Sequence, residues 1–242
     1  MKPVAEPFRF RQFTLHHHQS TMKAGTDAML LGSWLPLTGQ EQRVLDVGTG
    51  SGIVALMLAQ RSQAFIHAID IHQASVQEAA QNFQNSPWSN RLNAEFISFQ
   101  KFALQQSRHC DLIVSNPPFF RNSLLPADER LKMAKHNLNL SIADFINSSL
   151  LLLAPQGRLA VIMPIPEAAD FCADAEAKGF FMQHQLFVMP TPVRPPSRRI
   201  LLLARQPADK INTQHLTVRQ TNGKYTEAYI SLTRDFHPEG YL

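Results

Sequence analysis

Cysteine, charge and long apolar runs are all scarce in this sequence of 242 residues. The two cysteines, Cys110 and Cys172, have no CxxC partner, so we exclude a disulfide framework and expect free thiols in a reducing cytoplasm. No apolar run approaches the roughly 20 residues that cross a bilayer, and the first residues lack the apolar segment of a signal peptide. These absences predict a soluble, cytoplasmic protein.

Charged residues make up 17% of the chain, and basic residues outnumber acidic ones at both ends. Lys and Arg outnumber Asp and Glu by four to two in residues 1–27 and by eight to four in residues 191–242. Residues 28–190 hold eleven basic against thirteen acidic side chains. Because nucleic acids bind through cations that face phosphates, the two ends are candidates for such a contact.

The apolar fraction, 44%, suffices for a large core, and short apolar runs alternate with amphipathic segments from residue 43 onward. The strand-like runs are 43–48, 65–70, 94–98, 110–115 and 158–163. The helical patterns are 51–61, 73–85 and 141–153. This alternation predicts an α/β fold with βαβ units in a largely parallel sheet and helices on both faces.

Two further strand-like runs, 183–189 and 199–205, are joined by the proline-rich segment 190–196. Since no helix fits between them, they should form an antiparallel C-terminal hairpin. A seven-stranded, mostly parallel sheet that ends in such a hairpin is unlike the dinucleotide-binding fold. It is similar to the Rossmann-like sheet of the class I methyltransferases.

The strongest local pattern is DxGxGxG, which follows the first predicted strand. Its residues are Asp46, Gly48, Thr49, Gly50 and Gly52. A dinucleotide-binding loop, GxGxxG, would need glycine at position 53, which is Ile53. The pattern resembles motif I of class I methyltransferases. The resemblance implies that the loop packs under the methionine and ribose of S-adenosylmethionine (SAM), while Asp46 organises the ammonium end.

The second predicted strand ends in Asp70, which Ile71 follows. A carboxylate at the tip of a strand can accept hydrogen bonds from both ribose hydroxyls, so we assign both residues to the cofactor site. Many enzymes of this type place an acid after the third strand to hold the cofactor adenine. Ser98 and Phe99 occupy that place in this sequence. The Ser98 hydroxyl can bond to the adenine amine of the cofactor, and the Phe99 ring can flank the adenine. The alternative is that Asp46 caps a turn and Asp70 caps the next helix.

The fourth predicted strand runs into the tetrapeptide Asn116, Pro117, Pro118 and Phe119. Ligands of an open α/β sheet bind at the carboxyl ends of strands, so the tetrapeptide should lie in the cleft. The Asn116 side-chain carbonyl and the Pro117 main-chain carbonyl can each accept one N–H of a planar exocyclic amine. Those contacts favour the charge that builds on the amine nitrogen as it attacks a methyl group. We assign catalysis to this tetrapeptide and add Asn116 to the cofactor site.

The two prolines fix the backbone, and Phe119 offers a ring on which a target base can stack. The tetrapeptide resembles the (D/N/S)PP(Y/F/W) motif of amino-methyltransferases. The alternative is a proline-rich turn closed by a core phenylalanine.

Residues 22–34, with the pattern K-x-G-T-D-x-x-L-L-G-x-W, resemble a stretch of the bacterial tRNA1(Val) (adenine(37)-N6)-methyltransferases. Residues 56–61, 85–88 and 225–229 are similar to that family as well. The similarity runs over almost the whole chain. It implies that the protein methylates N6 of the adenine next to the anticodon, position 37, of a valine tRNA.

The same resemblance divides the chain in two. Residues 1–40 are expected to form an N-terminal extension that covers the cofactor and substrate cleft, and residues 41–242 the SAM-dependent methyltransferase domain. Lys23, Thr26 and Asp27 are expected to line the cofactor pocket. A helix N-cap at Thr26 and Asp27 is the alternative, and the two roles are compatible.

A base in an anticodon loop is unpaired, so it only has to be splayed out to reach the enzyme. Cations near the chain ends and after the tetrapeptide are the candidates for RNA contacts. They are Arg9, Arg11, Lys132, Lys135, Arg194, Arg198 and Arg199. The triplet at 16–18 is expected to be a polar or RNA-facing patch. Adjacent side chains of an extended segment point in alternating directions, so we expect no metal site.

Several alternatives remain at this point. Enzymes with a related tetrapeptide modify guanine N2 in ribosomal RNA, adenine in DNA, or a protein glutamine amide. Only residues 1–40 precede the first strand, which argues against the target-recognition region of a DNA enzyme and the helical domain of a glutamine enzyme. A catalytically silent RNA-binding module is disfavoured by the intact Asn116. A nicotinamide dehydrogenase is disfavoured by Ile53.

Overall fold

The computed structural model describes residues 6–20, 25–106, 109–117 and 140–238. A short antiparallel pair, β1 (Phe8–Arg9) and β2 (Thr14–Leu15), precedes the main sheet. The strands of the main sheet are β3 (Arg43–Val47), β4 (Phe65–Asp70), β5 (Leu92–Phe96), β6 (Cys110–Ser115), β7 (Leu153–Pro164), β8 (Phe181–Met189), β9 (Arg198–Ala204) and β10 (Asn212–Thr217). The α-helices are α1 (Thr26–Trp34), α2 (Ile53–Arg61), α3 (Gln73–Gln84), α4 (Phe99–Gln105), α5 (Ile142–Leu152), α6 (Ile165–Ala177) and α7 (Glu227–Thr233).

In the described part of the chain, the main sheet has eight strands in the order β10-β8-β9-β7-β6-β3-β4-β5. Within it β9 runs antiparallel to both β7 and β8, and the other pairs are parallel. The predicted α/β class, the mostly parallel sheet and the antiparallel C-terminal hairpin are confirmed. The carboxyl ends of the parallel strands therefore share one edge, which we call the carboxyl edge.

The structure adds an eighth strand, β10, to the seven that the sequence predicted. It pairs in parallel with β8 at the end of the sheet. Of its six residues, Asn-Thr-Gln-His-Leu-Thr, Leu216 is buried while the first four are exposed. A polar edge strand of this kind lacks the apolar run by which buried strands are recognised.

The third strand ends earlier than predicted, at Phe96 rather than at Ser98. The reason is helix α4, which the sequence pattern did not predict. Ser98 is its N-cap residue, and its hydroxyl accepts a hydrogen bond from the Lys101 N–H at 3.4 Å. A residue committed to capping a helix is no longer available to extend the strand.

The hydrophobic core forms two layers, one on each face of the sheet. Adjacent residues of β3 point into opposite layers, Val44 towards α1, α2 and α3 and Leu45 towards α4, α5 and α6. Phe10, Phe13 and Leu15 of the N-terminal segment are buried in the first layer. The N-terminal segment thus shares its core with the sheet. None of the helices in the described ranges has the length and apolar character that a bilayer crossing requires.

Candidate active site

The predicted site residues converge because three strands end side by side at the carboxyl edge. β3 pairs in parallel with β4 and β6, and the register aligns Val47 with Ile69 and with Ser115. The glycine loop follows β3, Asp70 ends β4 and Asn116 follows β6. The Ser115 hydroxyl donates a hydrogen bond to the Val47 carbonyl at 2.7 Å and ties two of these ends together. The tetrapeptide therefore starts directly beside the glycine loop.

The glycine loop turns through left-handed backbone conformations, with φ of 71° at Gly48, 56° at Gly50 and 85° at Gly52. The N–H groups of Gly48 and Thr49 both donate to the Ile69 carbonyl, at 2.9 and 3.1 Å. At Gly52 a Cβ atom would lie 2.5 Å from Cε1 of the Phe83 ring. Glycine is thus required there both by its φ angle and by the close approach of α3.

Asp46 lies beneath this loop and is 1% exposed. Its carboxylate accepts a hydrogen bond from the Thr49 hydroxyl at 2.7 Å. Burial raises the pKa of Asp46 to about 7, and the neighbouring charge of Asp70 adds to the rise. Hydrogen bonds from Thr49 and from the Ala55 backbone oppose the pKa shift. These contacts show that Asp46 braces the turn, as the alternative interpretation had it, and a role towards the cofactor ammonium stays a prediction.

Asp70 connects the glycine loop to the turn after β4. One carboxylate oxygen accepts from the Gly50 N–H and the other from the His72 N–H, both at 2.9 Å. The N-cap residue of α3 is His72. The helix-cap alternative for Asp70 is therefore wrong, because its hydrogen bond is made before the helix begins. These bonds hold the carboxylate in place, and Asp70 is 8% exposed beside the half-buried Ile71.

Asn116 is half-buried, and Pro117 is buried. Both follow β6 at the carboxyl edge. Pro118 and Phe119 lie outside the described residues, as do Lys23, Lys132 and Lys135.

Ser98 and Phe99 both carry contacts within the protein. Ser98 caps α4, as described above. Phe99 is 3% exposed, and its ring centroid lies 5.2 Å from that of Phe145 in the second core layer. These contacts give Phe99 a packing role, and a contact of either residue with the cofactor adenine stays a prediction.

At the start of α1 the N-cap residue is Gly25, so the N-cap alternative for Thr26 and Asp27 is wrong. Thr26 is the first helical residue and is exposed. The Asp27 carboxylate accepts from Nε of Arg198 at 2.8 Å, and each side chain is about one third exposed. This ion pair joins α1 to the start of β9. Arg198, a candidate for RNA, thus has a partner within the chain.

The remaining described RNA candidates fall into two groups. Arg9 and Arg11 are exposed on or beside the N-terminal pair β1 and β2. Arg194 is exposed in the loop between β8 and β9, and Arg199 lies on β9.

Glu78 and Asn82 of α3 hold the segment 16–20. The sequence alone did not indicate a role for either residue. The Glu78 carboxylate, 0% exposed, accepts the backbone N–H groups of His18 and Gln19 at 2.8 and 2.9 Å through Oε1. Its Oε2 accepts the N–H of Ser20 at 2.8 Å.

The Asn82 side-chain amide joins that segment to the glycine loop. Its Nδ2 donates to the carbonyls of His16 and Ser51, both at 2.8 Å, and its Oδ1 accepts the His16 N–H at 2.9 Å. The sequence signal that could have identified Glu78 and Asn82 is their position. They are polar, lie four residues apart, and share the buried helix face with the apolar Ala79 and Phe83.

Comparisons with known proteins show which family the chain belongs to. Residues 18–165 match the family model described as methyltransferase small domain. A tRNA1(Val) (adenine(37)-N6)-methyltransferase of Parabacteroides distasonis is 37% identical over 97% of this chain and 99% of that protein. A protein of the same description from Trichodesmium erythraeum is 40% identical over 95% of this chain and 97% of that protein.

Among solved structures, a predicted O-methyltransferase of Agrobacterium tumefaciens has the same fold. Its TM-score is 0.67 at 17% sequence identity, and the match covers 87% of this chain and 96% of that chain. The chain is therefore a methyltransferase and belongs to the family of the tRNA1(Val) (adenine(37)-N6)-methyltransferases.

Proposed function

We propose that this protein transfers a methyl group from SAM to N6 of adenine 37 in the anticodon loop of a valine tRNA. The names of its full-length relatives support this substrate. The observation that carries the proposal is the placement of the glycine loop, Asp70 and Asn116 at neighbouring strand ends. A tRNA substrate in turn places the enzyme in the cytoplasm.

The residues at the carboxyl edge fit SAM in their chemistry. Each oxygen of Asp70 uses one acceptor site on a backbone N–H, so further sites remain for two ribose hydroxyls. The left-handed loop from Gly48 to Gly52 lets a ligand approach the backbone closely. We assign the rest of the cofactor pocket to Lys23, Thr26, Asp46, Thr49, Ile71, Ser98, Phe99 and Asn116.

The bound cofactor supplies an electrophilic methyl group on a positively charged sulfur. Asn116 Oδ1 and the Pro117 carbonyl each accept one N–H of the target amine, which favours positive charge on its nitrogen in the transition state. Pro117 is buried, and contacts made away from water are stronger electrostatically than those made in water. After transfer, the amine nitrogen releases one proton to solvent. Pro118 and Phe119 complete this site in the proposal.

We further propose that residues 1–40 cover the cleft formed by residues 41–242. The support comes from Glu78 and Asn82, which hold segment 16–20 by backbone hydrogen bonds. Asn82 also bonds to Ser51 in the glycine loop, so the N-terminal segment and the cofactor loop share one anchor. The chain then continues through residues 21–24 into α1, whose Asp27 bonds to Arg198.

The test is transfer of labelled methyl groups from SAM to total tRNA of a strain that lacks this gene. Digestion to nucleosides should place the label in N6-methyladenosine. Asn116→Ala should reduce the rate about a thousandfold, as loss of one preorganised transition-state contact does elsewhere. Asn147→Ala, an exposed position on α5, is the matched control and should keep the native rate. Label in ribosomal RNA or in protein, with none in tRNA, would overturn the proposed substrate.

A further inference from the structure

Three side chains form a cross-strand row at the C-terminal end of the sheet. The register pairs Arg199 of β9 with Phe187 of β8, and Phe187 with His215 of β10. The rings of Phe187 and His215 are stacked, with centroids 5.2 Å apart and an interplanar angle of 15°. The Arg199 guanidinium carbon lies 5.1 Å from the Phe187 centroid. We call these three residues the Arg-aromatic row.

The row faces away from the first core layer. The alternate residues of the same strands, Leu186, Ile200 and Leu216, are buried there. His215 is exposed, and Phe187 and Arg199 are partly exposed. A row of stacked side chains that water still reaches offers a flat surface on which a further ring can stack.

The guanidinium of Arg199 is held in position by a neighbour on β8. Its Nε donates to the Gln185 side-chain carbonyl at 2.9 Å, and its NH2 group donates to the same oxygen. A guanidinium fixed over a ring presents one flat face and its remaining donors to solvent. That combination binds a base by stacking and a phosphate by hydrogen bonds.

The charge of the chain segment that contains the row favours an anionic ligand. Residues 178–226 contain eight Lys and Arg side chains and one acid, Asp209. At the carboxyl edge the exposed Arg194 lies in the β8–β9 loop, and the exposed Arg219 is bonded to that loop through its N–H and the Pro190 carbonyl at 3.0 Å. The Arg219 guanidinium also donates to the Gly223 carbonyl at 2.7 Å and to the Tyr225 hydroxyl at 3.1 Å, which fixes its position. Both cations attract the phosphates of a polyanion at this edge.

The row also lies within reach of the catalytic residues. From β6, which Asn116 follows, the sheet continues through β7 and β9 to β8. Three spacings between adjacent strands, each about 4.8 Å, place β8 roughly 14 Å from β6. A single strand that rises about 3.4 Å per nucleotide covers this distance with about four nucleotides. Arg198, the neighbour of Arg199, pairs with Pro164, which is the last residue of β7. The row therefore lies near the carboxyl edge.

We propose that Arg199, Phe187 and His215 form a subsite on which unpaired nucleotides flanking the target adenine stack, with Arg194 and Arg219 on their phosphates. The proposal rests on the proposed function for its target base. Phe187, His215 and Arg219 were not among the residues predicted from the sequence to contact RNA. Stacking on aromatic rings tolerates any base, so the subsite contributes affinity and orientation rather than choice of sequence.

The test is binding of a fluorescent 12-nucleotide single-stranded RNA of mixed sequence, followed by anisotropy in the full-length protein. Phe187→Leu keeps an apolar side chain but removes the ring, and it should weaken binding about tenfold. Arg199→Gln should weaken binding and lower the slope of log affinity against log salt by about 1. Arg199→Lys keeps the charge and should restore the salt slope but not the full affinity.

Phe65→Leu is the matched control, since Phe65 is 65% exposed at the amino end of β4, away from the carboxyl edge. It should bind the RNA as the native protein does. Thermal unfolding of every variant separates loss of binding from loss of fold. Native RNA affinity in folded Phe187→Leu and Arg199→Gln variants would overturn the subsite, whatever the enzyme methylates. Methylation of a base other than adenine would overturn the proposed function and leave the binding result standing.

Discussion

The two halves of the carboxyl edge are built in opposite ways. Around the glycine loop, side chains are buried and bonded to backbone groups of the protein, as Asp46, Asp70, Glu78 and Asn82 show. On β8, β9 and β10 the residues of the Arg-aromatic row are cationic or aromatic and are at least partly exposed. A small ligand of fixed shape needs a preorganised pocket, whereas a flexible RNA strand needs charge and open ring faces. Changes on the first half should therefore affect the fold and the cofactor, and changes on the second mainly the RNA.

The largest effect on stability should come from Gly52→Ala. The backbone φ of +85° disfavours any side chain, and the added Cβ atom would lie 2.5 Å from the Phe83 ring. The free energy of unfolding should therefore fall by about 3 kcal/mol. Gly39→Ala is the control, because Gly39 has a φ of +78° but nothing within 4 Å of the added atom. Gly39→Ala should lower the free energy of unfolding by about 1 kcal/mol. Urea denaturation of both variants measures the difference, and equal losses would show that the approach of α3 is not tight.

The next largest effect should be on cofactor affinity, in Asp70→Asn. The amide loses the charge that strengthens hydrogen bonds to the ribose hydroxyls, and its NH2 group faces one of the two N–H groups that Asp70 now accepts. SAM affinity should therefore fall about 30-fold. Calorimetric titration with SAM gives the affinity directly. Asp144→Asn, at an exposed position in the first turn of α5, should bind SAM with native affinity. Equal affinities of the native and Asp70→Asn proteins would remove Asp70 from the cofactor site.

Glu78→Gln should act on the cofactor through the N-terminal segment. Glutamine places an NH2 group against the N–H groups that Glu78 now accepts, so the segment 16–20 should lose its anchor. We expect the KM for SAM to rise about tenfold, with a smaller change in kcat. Glu176→Gln on the exposed face of α6 provides the comparison. An unchanged KM for SAM would show that the segment does not cover the cofactor.

The last effect concerns Asp46 and pH, and it is small for each pH unit because it is spread over the range from pH 4 to 7. Because burial raises its pKa to about 7, the folded protein keeps this proton at pH values where the unfolded chain, with a pKa near 3.8, has released it. The stability of the ligand-free protein should therefore decline as pH rises from 4 to 7 and then level off. Asp46→Asn mimics the protonated form and should lack this contribution. The stability difference between the two proteins should change by up to about 1 kcal/mol per pH unit in that window. A constant difference from pH 4 to 8 would contradict the raised pKa.

The sequence predicts the buried part of this molecule well because burial leaves a pattern. Strands β3, β4 and β6 are apolar runs, and the residues that follow them must meet at one edge once the strands are parallel. The glycine loop and Asn116 are recognisable for that reason. Polar edge elements such as β10 leave no comparable signal.

What the sequence could not supply are the partners of polar side chains. Asp70 lies just before a helix and Thr26 is the first residue of one, and both match the residue types that cap helices. The structure instead bonds Asp70 to Gly50 and pairs Asp27 with Arg198, 171 positions away in the chain. Contacts of this range depend on the fold as a whole. The same holds for the stack of Phe187 on His215, which exists because β10 adds to the sheet.

The main proposal is that Asn116 acts on the target amine, and that this role outweighs its contribution to the cofactor pocket. The most direct measurement is the single-turnover rate of methyl transfer to tRNA by Asn116→Ala, with SAM and tRNA both saturating and SAM affinity determined in parallel. We expect a rate about a thousandfold below that of the native protein, with SAM affinity within a few-fold of native. A native single-turnover rate in this variant would contradict this proposal.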